Sequence, residues 1–145
     1  MSAKENFGVE MSRILPLLIR EAMRDQENIF SKENMGVSNI VVFDLLRSKG
    51  ACTMGEISIA LGLTMSAATG IIDKMTDFAV VTRERDPEDR RVVKVELTKK
   101  GKKMSDQVAQ SRIDMTNDLY SVLTDKERDE YLRLIKKVAD NILRK

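Results

Sequence analysis

Apolar positions along this chain repeat at helical spacing over several stretches and at strand spacing in one. Met11, Ile14, Leu15, Leu18, Ala22 and Met23 step by three and four residues within 7–30, which predicts one face of a long helix. Pro16 lies inside it; lacking a backbone N–H and crowding the preceding turn, it predicts a kink or break between Ser12 and Pro16. Ser38 is placed to cap a second helix, with Ile40, Val41, Phe43, Leu45 and Leu46 as apolar contacts and Gly50 as the stop after Lys49. Thr53-Met54-Gly55-Glu56 has the S/T-x-x-E spacing in which two side chains satisfy each other's orphan backbone donors, so a short helix begins there. Gly62 interrupts, and Thr64 is placed to cap another helix that turns Ala68, Ile71, Ile72 and Met75 inward. Two short helices about a glycine-containing turn predict a helix-turn-helix.

Beyond Phe78 the period changes. Val80 to Arg83 and Val92 to Leu97 read as strands flanking the turn DPEDRR at 86–91, a two-stranded hairpin. Thr98 and Gly101 precede a long helix with Met104, Val108, Met115, Leu119 and Val122 on one face. Thr124-Asp125-Lys126-Glu127 repeats the cap signal before a last helix striped by Tyr131, Leu134, Ile135, Val138 and Ile142. The pattern describes a mainly α chain with a small β-wing, without repeats, low-complexity tracts or linkers.

Composition narrows the class. At 145 residues the chain fits one domain, residues 1–145, able to bury roughly 68–70% of its unfolded surface. Only 4% of residues are aromatic while nine are Met, so aliphatic side chains and flexible thioethers must build the core. The opening MSAKENFGVE has no basic segment leading into an apolar run, and no window approaches the ~18 apolar residues that span a bilayer, so a cytoplasmic protein is expected. With no histidine and one cysteine, Cys52, the usual Cys/His zinc sites, His-dependent catalytic groups and an internal disulfide are all out of reach. There is no Gly-rich phosphate loop either, so no enzyme, metal site or cofactor is expected.

The net charge of +2 says little, but the charges are segregated. Residues 83–103 hold nine basic and five acidic side chains, and the remainder holds sixteen basic and eighteen acidic. One basic element on a mildly acidic body is the footprint of local contact with a polyanion.

A hairpin directly after a helix-turn-helix makes a winged helix, and here the motifs become specific. The run DRRVVKVELTKKG, Asp89 to Gly101, resembles the wing-to-helix signature of MarR-family bacterial transcription regulators, D-x-R followed by strand residues and L-T-x-x-G. The resemblance extends over nearly the whole chain and implies a winged helix-turn-helix core over about 38–98, dimerised through N- and C-terminal helices at about 7–30 and 99–144. It implies a homodimer on a pseudo-palindromic operator in double-stranded DNA. It also implies a repressor, with a small aromatic or amphipathic effector weakening binding. One position departs from the pattern. Ala79 stands where the family usually has a helix-ending glycine, which predicts a different helix end and leaves the orientation of the wing open.

The candidate DNA-binding residues on the recognition helix are Thr64, Ser66, Ala67, Thr69, Gly70 and Lys74. Their hydroxyls suit base edges or phosphates, Ala67 suits a thymine methyl, and the scarcity of Arg and Lys argues against bidentate guanine reading. On the hairpin, Arg90 or Arg91 is assigned to the minor groove and Arg83, Arg85 and Lys94 to phosphates, with Asp89 orienting a neighbouring arginine. Cys52 precedes the helix-turn-helix where a short strand is expected, and it reads as a buried small hydrophobe rather than a reactive thiol. The alternative from another class is a winged-helix protein–protein module whose basic wing meets an acidic partner.

Overall fold

The computed structural model describes residues 2–30 and 35–144, with side chains outside 25–30. The elements run α1 (Ala3–Phe30), α2 (Val37–Lys49), β1 (Cys52–Thr53), α3 (Met54–Leu61), α4 (Met65–Asp77), β2 (Val81–Arg85), β3 (Val93–Leu97), α5 (Lys99–Leu119) and α6 (Asp125–Leu143). The sheet is antiparallel in the order β1-β3-β2, with Cys52 opposite Val95 and Arg83 opposite the same Val95 on its other edge. No single helix among the described residues is long and apolar enough to cross a membrane.

Four local expectations need correction. No break occurs at Pro16: α1 runs as one helix over 28 residues. Proline deletes only the bond from its own nitrogen to residue 12, and the bonds on either side carry the helix through. Helix α2 is capped by Gly36 rather than Ser38: the Asn39 side chain accepts from the Gly36 N–H at 2.9 Å, so the reach back into the cap comes from the third helical residue. Within α2 Val42 is buried with Phe43 and Leu46 while Val41 is only half-buried, and Val122 lies past the end of α5, exposed.

The core gathers Val42, Phe43 and Leu46 of α2 against Ile57 of α3, Ile72 and Met75 of α4, and Val81 and Val95 of the sheet. Burial of each large apolar side chain here stabilises the fold by about 1.5–3 kcal/mol. Cys52 belongs to this cluster, and desolvation, with Glu56 nearby, pushes its thiol up from the ordinary value. By contact the chain divides into two compact units, Met1–Arg112 and Ile113–Lys145. In the second, the Tyr120 and Tyr131 hydroxyls meet at 3.1 Å, which with burial pushes Tyr120 up to about 12.

Helix α4 ends as a glycine would end it, with alanine in place, which corrects the expectation of a different termination. Ala79 takes φ 58°, its N–H donates to Thr76 O at 2.9 Å, and Val80 N–H donates to Met75 O at 3.0 Å. This is the Schellman pattern, two helix-end carbonyls satisfied from the residues just beyond. An alanine there is strained by roughly 1–2 kcal/mol, whereas glycine would add about 0.5–1 kcal/mol of chain entropy to lose. Ala79→Gly should therefore raise the melting temperature by about 2–4 °C. An unchanged or lowered value in thermal unfolding would contradict the strain.

Candidate nucleic-acid interface

The helix-turn-helix is built by short-range bonds that the chain writes locally. Thr53 N–H donates to the Glu56 carboxylate at 2.9 Å and Glu56 N–H to the Thr53 hydroxyl at 3.2 Å, fixing the start of α3. That donation from Thr53 holds the Glu56 carboxyl below its usual range. Gly62, at φ 62°, ends α3, and the Thr64 hydroxyl accepts from Ala67 N–H at 3.2 Å to start α4. The two helices bend by 105° across this three-residue turn, within the range of DNA-binding helix pairs.

The inward face of α4 is taken by Ala68, Ile72 and Met75, which leaves Thr64, Ser66, Ala67, Gly70 and Lys74 exposed. Thr69 is partly exposed, and its hydroxyl donates to Met65 O at 2.8 Å. What it offers outward is therefore its methyl and an acceptor lone pair rather than its proton.

The hairpin carries its charges in two different ways. Arg83 pairs with Asp73 of α4, and Lys94 Nζ sits 2.8 Å from Asp86. Arg83 ties the wing to α4 and Lys94 braces it internally. Asp86 is its keystone: besides Lys94 it accepts from Glu88 N–H at 2.8 Å, and these bonds hold its carboxyl below the usual range. Arg85 reaches the Arg90 carbonyl at 3.5 Å, closing the turn. Asp89 accepts from Arg91 N–H at 3.1 Å, and its carboxylate lies 3.6 Å from Arg91 Nε. The Arg91 side chain stands 95% exposed at the tip, and Arg90 is exposed beside it. Lys74, Arg90 and Arg91 thus stand exposed, Arg91 with Asp89 at its side, while Arg83 and Lys94 pair with Asp73 and Asp86. The sequence reading missed Asp73 and Asp86. For Asp86 a signal existed, since Asp before Pro favours a turn closed by its own side chain.

The fold and this surface define a winged helix-turn-helix protein. A model of the MarR family matches residues 37–93. The HTH-type transcriptional regulator YkoM of Bacillus subtilis, itself uncharacterized, is 31% identical over 110 residues, covering 75% of this chain and 71% of that protein. The structure of a MarR family protein from Bacillus stearothermophilus superposes with TM-score 0.83 at 22% identity, covering 98% of this chain and 99% of that one. A mutant MarR from E. coli complexed with operator DNA gives TM-score 0.72 at 25% identity, covering 94% and 99%. The chain belongs to the MarR family of transcription regulators, which are not enzymes. Its match spans 66% and 63% of the length of two other curated relatives, about two thirds.

Proposed function

We propose that this chain binds double-stranded DNA sequence-specifically as a homodimer, with α4 in the major groove and the hairpin tip in the minor groove. It acts as a repressor in the cytoplasm, and a small aromatic or amphipathic effector relieves operator binding. The observation that carries the DNA reading is the exposed Arg91 on a wing stiffened by Asp86 and Asp89, beside the small outward residues of α4. A planar guanidinium suits a narrow A·T-rich groove, whose negative potential favours its charge. Small residues on α4 let a helix sit close to base edges, and Ala67 and the Thr69 methyl suit thymine methyl groups. A two-fold dimer places two such surfaces about one helical turn apart on a pseudo-palindrome.

The test is competition across duplex variants at several salt concentrations. Arg91→Ala should weaken specific binding by about 1–3 kcal/mol and relax preference at one minor-groove position in each half-site. Wild type should lose affinity for random duplex steeply as salt rises. Unaltered affinity and preference in Arg91→Ala would end the minor-groove assignment. Absence of any salt-dependent duplex binding would favour the protein–protein module.

A further inference from the structure

Three successive carbonyls just past the end of α4 are taken by Thr98 and Lys100 at the entrance to α5. Lys100 Nζ donates to Phe78 O at 2.8 Å, the Thr98 hydroxyl to Ala79 O at 2.6 Å, and Thr98 N–H to Val80 O at 3.1 Å. Beside them Gly101 brings the α5 backbone so near that a Cβ would stand 1.9 Å from Val80 O. Carbonyls at a helix end ordinarily go to water or to the residues that follow. Here the Phe78 carbonyl goes to a lysine of another helix and the Ala79 carbonyl to the threonine just before it, while Thr98 N–H to Val80 O extends the β2–β3 ladder by one rung. The same joint contains Ala79, which alone among the described non-glycine residues has positive φ. Strain of that kind persists where the surroundings over-determine the backbone.

Lys100 says most about the purpose of the joint. As the second residue of α5 it sits at the positive end of its own helix dipole, and the first turn of α5 has no acidic residue to offset it. At the far end of α4 the dipole is negative and attracts a cation. The Phe78 carbonyl at the cap of α4 gives this ammonium a partner outside the helix that carries it.

We propose that Thr98 and Lys100 are positioning residues for DNA recognition. Without touching DNA, they fix the angle of α4 against α5 and so set which operator half-site spacing the protein accepts. The inference rests on the homodimeric DNA-binding reading above. A recognition helix fixed at its end presents its groups at a defined place; one free to rock would tolerate a changed spacer.

Lys100→Met keeps an unbranched chain and removes the ammonium from an exposed side chain. Wild type first selects duplexes from a random pool, and the winning duplex is remade with its spacer one base pair longer and one shorter. Competition at several salt concentrations then gives the spacing ratio and the salt slope for wild type, Lys100→Met and Lys100→Arg, with folding followed by thermal melting. The spacing ratio of Lys100→Met is expected to fall roughly three- to tenfold, with most of it restored in Lys100→Arg. Its salt slope should match wild type, because no phosphate contact is lost. An unchanged spacing ratio overturns the proposal whether or not the melting temperature falls. A slope shallower by about one also overturns it, by making Lys100 a phosphate ligand. If wild type selects no duplex, the DNA-binding reading itself fails and the proposal falls with it.

Discussion

Gly101→Ala is expected to lower the melting temperature by on the order of 10 °C, although helix propensity alone predicts a rise. Gly101 lies in the first turn of α5 and is buried, and an added Cβ would stand 1.9 Å from Val80 O and 2.8 Å from its carbon. These are backbone atoms, so no side chain can swing aside. The first turn of α5 would have to retreat, breaking the Thr98 bonds to Ala79 O and Val80 O. Overpacking of this kind costs about 3 kcal/mol or more, against the 0.5–1 kcal/mol that alanine gains over glycine in a helix. Gly70→Ala is the control. Gly70 lies in the interior of α4 on its exposed face and a Cβ there meets nothing within 4 Å, so propensity acts unopposed and thermal stability should rise by about 2–4 °C. Equal shifts in the two variants would show that Gly101 is not a steric contact.

The winged core was legible because its boundaries are written in neighbouring residues. Thr53 with Glu56, Gly62 and Thr64 each act within three or four positions, and the DPED turn closes on its own side chains. The L-T-x-x-G signature was legible as a motif but not as a mechanism. Its threonine caps α5 by accepting from Gly101 N–H at 3.0 Å while its hydroxyl binds Ala79, and its glycine makes room for the Val80 carbonyl. That requires knowing which distant carbonyl arrives there. Ion pairs were not legible for the same reason: counting charges could not show that Arg83 and Lys94, the proposed phosphate contacts, come to lie beside Asp73 and Asp86. Asp44 and Arg112, 68 residues apart, form a two-bonded pair at 2.6 and 2.8 Å that no local pattern announces. The start of α2 misled because a serine in the first turn looks like a cap, while an asparagine reaching back to glycine does the work.

Ile135→Asp is expected to convert the proposed dimer to a monomer and to abolish binding to a two-half-site operator. Helix α6 has 19 residues and none of them is buried. Leu134, Ile135, Val138 and Ile142 nevertheless recur on one face, with Ile135 44% and Ile142 66% exposed. Helices in proteins draw most of their stability from burying such a face, so this one calls for a cover. On α1, Phe7, Ile14 and Leu15 are likewise exposed. In the proposed homodimer a second copy of the chain would supply matching apolar surface, and a two-fold interface meets every substitution twice. An unpaired carboxylate in that interface loses water without gaining a partner, which costs several kcal/mol. The dissociation constant should rise at least about a hundredfold, equivalent to roughly 2.7 kcal/mol. Sedimentation equilibrium of wild type, Ile135→Asp and Lys136→Asp measures it, the last placing the same charge on the polar face. Wild type and Lys136→Asp should sediment as dimers at micromolar concentration, and Ile135→Asp as a monomer that retains only weak binding to single half-sites. A wild type that stays monomeric, or an Ile135→Asp dimer of normal affinity, would remove α6 from the interface and leave its apolar stripe to some other cover.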